Sequence, residues 1–228
     1  MRILSTLLLL FGILSLHAQD EHTYWAVGDT SDASTAHEYG VVLAGGNTDH
    51  DNAMRWMLER ANGGDVVILR ASGSDGYNDY FFSELGIDVH SVETIRFDGL
   101  GAASDPFVIE RIRQAEVLFF AGGDQFDYYQ YWKDNAIEEA INYLINDKQA
   151  TVGGTSAGMA ILGGAYYAPS DLGVLSSEAL SDPFDPYMDV IGADDFINIP
   201  LLERVITDTH YSDRERQGRH FAFLARLA

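Results

Sequence analysis

Among its 228 residues the chain has no cysteine. Disulfide cross-links, a thiol nucleophile and a cysteine-ligated zinc are thereby excluded, and stability has to come from a packed core. Positive charge is also scarce: 14 Lys and Arg stand against 35 Asp and Glu, a formal net charge of −21. That balance opposes binding to nucleic-acid backbones and to anionic lipid, so neither is an expected partner. Small molecules or peptides are the substrates to look for. Long apolar runs are confined to the N-terminus, where Met1-Arg2 precedes an apolar stretch over residues 3–16 and the small residue Ala18. This is the build of a secretory signal peptide, and it is short for a comfortable membrane span. The expectation is an exported protein, periplasmic or extracellular, with residues 1–18 removed and 19–228 forming a single domain.

What is present is an alternation of short apolar runs with amphipathic stretches, without repeats or low-complexity tracts. The runs at 41–44, 65–69, 93–97, 116–121 and 150–153 are rich in β-branched, apolar or aromatic residues and read as strands. Between them, 49–61 reads as a helix with Asp49 as its cap, closed by Gly63-Gly64. Asp105-Pro106 offers an N-cap followed by proline at the first helical position. In 134–146, Ala136, Ile137, Ala140, Ile141, Leu144 and Ile145 recur at helical spacing with acids and polar groups on the other side. Strands separated by helices predict an α/β fold, a mainly parallel sheet with helices on both faces, whose ligands gather at the carboxyl ends of strands.

The chemistry points to those ends. Directly after the strand at 150–153 comes Gly154-Thr155-Ser156-Ala157-Gly158, then apolar residues suited to a helix. A serine at such a turn projects its hydroxyl into open space, and the glycines relieve collisions with the neighbouring strand and helix. The Ala157 N–H, at the start of the helix, is placed to stabilise an oxyanion. A second loop, Ala121-Gly122-Gly123-Asp124-Gln125, follows the apolar strand before it and should open on the same edge. Gly123 can bring its N–H close to a bound carbonyl as a second donor, while Asp124 or Gln125 hydrogen-bonds substrate.

A serine hydroxyl needs a base, and imidazole titrates in the right range. Of His22, His37, His50, His90, His210 and His220, only His210 ends an apolar strand-like run, 205–208, which places it on a loop beyond a strand. Then comes Tyr211-Ser212-Asp213-Arg214-Glu215-Arg216-Gln217-Gly218-Arg219, a cluster of arginines in an otherwise acidic chain. On a regular helix Arg216 and Arg219 share a face and Arg214 points away, so convergence of all three requires Arg214 to lie in a loop before the helix. The loop 181–189 reads either as an excursion near this site or as a long turn.

These residues together resemble the cyanophycinase and bacterial aspartyl dipeptidase family of serine peptidases. The likeness rests on Gly153-Gly154-Thr155-Ser156-Ala157-Gly158, on Gly122-Gly123-Asp124-Gln125, and on Asp208-x-His210-Tyr211-x-x-Arg214-x-Arg216-x-x-Arg219, in that order. It implies the class I glutamine amidotransferase-like, flavodoxin-like three-layer sandwich. It further implies a serine peptidase that needs no metal or organic cofactor, and a homodimer. Ser156 becomes the nucleophile, His210 the base, and Gly123 and Ala157 the oxyanion donors. Gln125, Asp208, Arg214, Arg216 and Arg219 then line the substrate pocket, the guanidinium groups gripping a carboxylate and Asp208 facing an arginine-like cation. Cyanophycin, an aspartate backbone carrying arginine through isopeptide bonds, has both charges.

Two departures accompany the likeness. Thr209 stands where cyanophycinases usually carry glutamine. The family's triad acid falls well after the histidine, whereas only 211–228 follow His210 here. The acid is expected from a continuation of the chain, which the uncapped apolar segment 221–227 also suggests, or from a local acid such as Glu203. An exported binding protein with an incomplete triad, holding an acidic or arginine-bearing ligand on the same scaffold, is the alternative. A metal site at Asp49-His50-Asp51 ranks below both, since adjacent side chains at a helix start diverge.

Overall fold

The computed structural model describes residues 21–188 and 191–228; the expected signal peptide lies outside them. In chain order the elements begin with β1 (His22–Gly28), β2 (Gly40–Ala44), α1 (Asp51–Glu59), β3 (Asp65–Arg70), α2 (Gly76–Asp79) and β4 (Ser91–Phe97). They continue with α3 (Pro106–Gln114), β5 (Val117–Phe120), α4 (Gln125–Trp132), α5 (Ala136–Asn146) and β6 (Thr151–Thr155). The last are α6 (Ala157–Ala160), β7 (Ala165–Tyr167), α7 (Ser176–Ser181), β8 (Ile191–Ala193) and α8 (Gln217–Leu227).

Six strands form one sheet in the order β1-β4-β3-β5-β6-β2. All neighbours are parallel except β1, which runs antiparallel to β4 at one edge. Val66 to Leu69 are wholly buried on both faces, as a central parallel strand requires. Leu69, Ile95, Leu118, Phe120 and Val152 face α3, α4 and α5, while Val66, Ile68, Val92, Val117 and Phe119 face α1 and the segment around Phe81. Helices on both faces of a mainly parallel sheet make a three-layer α/β sandwich, as the alternation of elements predicts.

Local signals account for the helices. Asn135 caps α5 by accepting a bond from the Ile137 N–H at 2.9 Å, Glu138 and Glu139 occupy its first turn, and Ile137, Ala140, Ile141, Leu144 and Ile145 are all buried. Each such side chain removed from water contributes about 1.5–3 kcal/mol. Asp105 caps α3 by accepting from Phe107, with Pro106 behind it at the first position.

Two expectations need correction, and one strand was not foreseen. Asp49 does not cap α1: the cap position is His50, and the Asp49 carboxylate accepts instead from the Tyr77 hydroxyl at 2.6 Å. The run 205–208 is not a strand, since Ile206 makes only an isolated bridge to Ala165; its apolar residue serves a small satellite core rather than the sheet. β1 goes unanticipated because His22, Thr23, Tyr24 and Trp25 lie on a half-exposed edge, where the apolar signal of a strand is weak.

That satellite core packs Ala165, Tyr167, Val174, Ala179, Met188, Ile206, Ala222 and Phe223 between the two-stranded ribbon β7-β8 and helices α7 and α8. The loop after α7 belongs to it, because the Tyr187 carbonyl accepts from the Tyr167 hydroxyl at 2.5 Å. Among the described residues no helix is long and apolar enough to cross a membrane.

Candidate active site

β5, β6 and β2 are neighbours in the sheet, so the loops after Phe120, Thr155 and Ala44 open side by side at its carboxyl edge. Ser156 is the single residue between β6 and α6, with φ 51° and ψ −121°. This region costs a residue with a Cβ about 1–3 kcal/mol, and it persists only where the surroundings impose it. Here they do. The Ser156 N–H donates to the Ala44 carbonyl at 3.0 Å, and the Ser156 carbonyl accepts from Ala160 at 3.0 Å. A Cβ on Gly154 would stand 2.6 Å from the Gly158 carbonyl oxygen, and one on Gly158 would overlap the Phe120 carbonyl. Only glycine lets the strand, the turn and the helix approach so closely.

The imidazole of His210 lies against this turn, with Nε2 2.8 Å from Ser156 Oγ. Its other nitrogen, Nδ1, lies 3.1 Å from Asp213 Oδ2. A consistent assignment has the serine hydroxyl donating to Nε2 and the Nδ1–H donating to the carboxylate. The His210 backbone, at φ 52°, donates its N–H to the Gly45 carbonyl at 2.7 Å. Consecutive carbonyls at the end of β2, Ala44 and Gly45, thus hold the backbones of the serine and the histidine. Gly46, at φ +97°, lies against the ring: a Cβ there would come within 2.6 Å of His210 Nε2.

The loop after β5 approaches from the other side. A Cβ on Gly122 would lie 3.4 Å from Ser156 Cβ, and one on Gly123 would lie 2.7 Å from the Tyr128 hydroxyl. That buried hydroxyl donates to the Ala121 carbonyl at 2.9 Å; burial raises its pKa, so it stays a donor. Asp124 is occupied as the cap of α4, accepting from Phe126 at 2.9 Å, and Gln125 opens that helix half-buried. Ala157, the first residue of α6, is buried beside the serine.

α8 begins only at Gln217, so Arg214 does lie in a turn before the helix, and Arg214, Arg216 and Arg219 line one hollow of about 170 Å³ with Gly173, Val174, Leu175 and Ser176. The three do not carry equal freedom. Arg219 Nε and Nη2 donate to both oxygens of Asp208 at 2.7 and 2.6 Å, and the two side chains are 5% and 4% exposed. Asp208 and Arg219, which the resemblance assigns to substrate, therefore have each other as first partners, because a buried charge without one would be far more costly. Arg216 donates to the Thr209 carbonyl and hydroxyl at 3.1 and 2.9 Å. Burial, then the charges of Arg219 and Arg214, lower its pKa to about 10, which leaves it charged at neutral pH. Arg214 is exposed.

Two features of this site escape sequence reasoning. Asp213 carries a weak signal, a carboxylate three residues beyond the histidine, which becomes legible only once the chain is known to turn there. Gly45-Gly46 follows a strand without any chemistry of its own. Glu203 is not beside the imidazole; it lines a separate hollow of about 390 Å³ with Glu138, Asp194 and Asp195. A larger hollow of about 750 Å³ includes His37, Gln114 and Lys148. These residues precede β2, β5 and β6, so it opens at the opposite edge of the sheet from Ser156.

No family model matches the chain. Among curated proteins it is similar to the cyanophycinase of Geminocystis herdmanii, 27% identical over 144 residues, covering 63% of this chain and 48% of that protein. The cyanophycinase of Trichormus variabilis is 29% identical over 108 residues, 47% of this chain and 32% of that protein. That of Synechococcus elongatus is 25% identical over 203 residues, 82% of this chain and 58% of that protein. The chain spans about half the length of the curated relatives it matches. A solved structure of a peptidase from an acI-B1 actinobacterium shares 14% identity over 58% of this chain and 60% of that one, at a TM-score of 0.45. The chain is thus similar to curated cyanophycinases, and it carries a serine and a histidine in hydrogen-bond contact at the carboxyl edge of its sheet.

Proposed function

We propose that the chain is a serine-type peptidase that hydrolyses an amide or isopeptide bond next to aspartate through an acyl-enzyme. The observation that carries the reading is the 2.8 Å contact between Ser156 Oγ, raised on a strained turn, and His210 Nε2. A hydroxyl so placed attacks a carbonyl carbon as its proton passes to the imidazole. The tetrahedral oxyanion that forms takes hydrogen bonds from the Ala157 N–H and from the Gly122-Gly123 loop, with Gly123 as the second donor. The imidazolium gives its proton to the leaving nitrogen, the C–N bond breaks, and water repeats the sequence on the ester.

Substrate recognition is assigned to Gln125 and to the basic side chains beside His210. Arg214 and Arg216 supply positive charge for carboxylates in a chain whose surface is otherwise strongly acidic. Asp208 and Arg219 hold that wall in place. A polyaspartate backbone bearing arginine, or a β-aspartyl peptide, fits such a site, and the names of the relatives point to the same class of substrate. Export belongs to the proposal through the composition of residues 1–18.

Ser156→Ala is the direct test. Hydrolysis of cyanophycin or of a β-aspartyl peptide should fall by about 10⁴-fold or more, as losses of a nucleophile do, and covalent labelling by a fluorophosphonate should vanish. A variant that turns over as fast as the parent removes Ser156 from the mechanism. Tight ligand binding by a parent protein that is never labelled identifies a binding protein instead.

A further inference from the structure

We propose that Tyr128 is a positioning residue for the reaction, whose buried hydroxyl sets the direction of the N–H groups in the Gly122-Gly123 loop. The proposal rests on the hydrolase reading above, in which that loop supplies the second oxyanion donor, and adds to it the group that fixes the donor's aim.

A donor stabilises a tetrahedral oxyanion well only when it already points at the place where charge develops. Two consecutive glycines are poorly suited to hold such an aim by themselves, because they lack the Cβ that restricts backbone angles. The ends of the loop are anchored: the Ala121 N–H donates to the Leu69 carbonyl at 3.0 Å, and Asp124 caps α4 by accepting from Phe126 at 2.9 Å. Neither bond reaches the two glycines between them.

Tyr128 acts on that middle from behind. It stands one turn into α4, wholly buried, with its ring stacked on Trp132 at 4.3 Å between centroids. The hydroxyl donates to the Ala121 carbonyl at 2.9 Å and takes a hydrogen bond from the Ala71 backbone, so one oxygen ties together the chain that follows β5 and the chain that follows β3. In a trans peptide unit the carbonyl and the next N–H point opposite ways, so drawing the Ala121 carbonyl to Tyr128 turns the Gly122 N–H away from it. The same oxygen backs the following residue, since a Cβ on Gly123 would stand 2.7 Å from it. On the other side of the loop, Gly122 lies against the serine, where its Cβ would be 3.4 Å from Ser156 Cβ.

Burial raises the pKa of the phenol, so it keeps its proton and donates throughout the neutral range. Sealed beneath the loop, the hydroxyl meets no substrate, and its effect passes through the two glycine N–H groups. Loss of a whole oxyanion donor costs about 10²–10³-fold in kcat. A donor that is present but loosely aimed should cost less, about 10–10²-fold. Side chains that bind the ground state are untouched, so the loss should fall on kcat.

The experiment compares the parent with Tyr128→Phe, Gly123→Ala and Tyr166→Phe. Tyr166 is the control, a second buried tyrosine whose hydroxyl donates to Asp195 at 3.0 Å, away from the serine turn. The measures are kcat and KM on a β-aspartyl peptide, the rate of Ser156 labelling by a fluorophosphonate, and thermal unfolding. Tyr128→Phe should lower kcat and slow labelling by about 10–10²-fold with KM nearly unchanged. Tyr166→Phe should keep parental rates while losing a comparable amount of thermal stability. Gly123→Ala pushes on the same hydroxyl from the loop side, so it should also lower kcat, and joining it to Tyr128→Phe should cost less than the product of the two separate losses. If Tyr128→Phe labels and turns over like Tyr166→Phe, or loses only in KM, while Ser156→Ala is not labelled at all, Tyr128 has no positioning role and the hydrolase reading stands. Should Tyr128→Phe fail to fold, parental labelling of Gly123→Ala overturns the proposal in its place. If the parent itself is neither labelled nor active, the hydrolase reading falls and takes the proposal with it.

Discussion

The serine and the histidine meet at 2.8 Å, but the two regions that deliver them are built on opposite principles. The serine elbow is crowded: it lies between β6 and α6 inside the main core, and its geometry depends on what glycine omits. The histidine segment has no strand of its own. It is suspended from one carbonyl of the β2 end and tied by arginines to the start of α8, through Asp208 with Arg219 in the helix and Thr209 with Arg216 just before it. The elbow should therefore fail when atoms are added, and the histidine segment when charges are taken away.

The largest effect on stability is expected in the second region. Asp208→Asn leaves the Arg219 guanidinium buried without its counter-ion, which typically costs about 3–5 kcal/mol. Replacing both partners with apolar side chains of similar volume should cost less than either single change. Denaturant titration of the two single variants and the double variant checks this. If Asp208 served substrate alone, the single variant would unfold with the parent and only KM would rise.

Gly158→Ala attacks the elbow by addition. The new methyl overlaps the Phe120 carbonyl, and overpacking of this kind costs about 1–3 kcal/mol. Because any relief moves the start of α6, fluorophosphonate labelling of Ser156 should be lost along with stability. A variant that labels normally would show that the close approach of α6 to β5 is not required.

Gly46→Ala crosses the two regions and should disturb stability least. Its methyl would meet the imidazole edge and sit at a positive φ, a cost of about 1 kcal/mol. Displacing the ring by a fraction of an ångström should nonetheless lower kcat by about 10²-fold. A large loss of kcat beside a small shift in unfolding is the signature sought, and equal losses in both would make Gly46 a purely structural glycine.

Much of the first region was legible in the chain. The apolar runs around Val66, Leu118 and Val152 give parallel strands, the spacing of Ile137, Ile141 and Leu144 gives a helix, and Gly154-x-Ser156-x-Gly158 between strand and helix gives the elbow, because local sterics alone demand those residues. The second region read less well. The run 205–208 carries the apolar look of a strand, yet Ile206 is drawn into the satellite core by Ala165 and Phe223, partners remote in sequence. A cluster of arginines read as a substrate clamp because the chain does not reveal that Asp208 and Arg219 will be buried together.

By itself, then, the amino-acid order determined the α/β class, the five parallel strands of the main sheet and the serine turn, since each depends on neighbours within a few positions or on periodic burial. Tertiary structure alone decided which carboxylate faces the imidazole, which arginine is spent on an internal partner and which glycine shapes the ring's bed. Those choices depend on where β2, the turn after His210 and α8 come to rest against one another, and an electrostatic partner is selected by distance in space, which linear spacing does not encode.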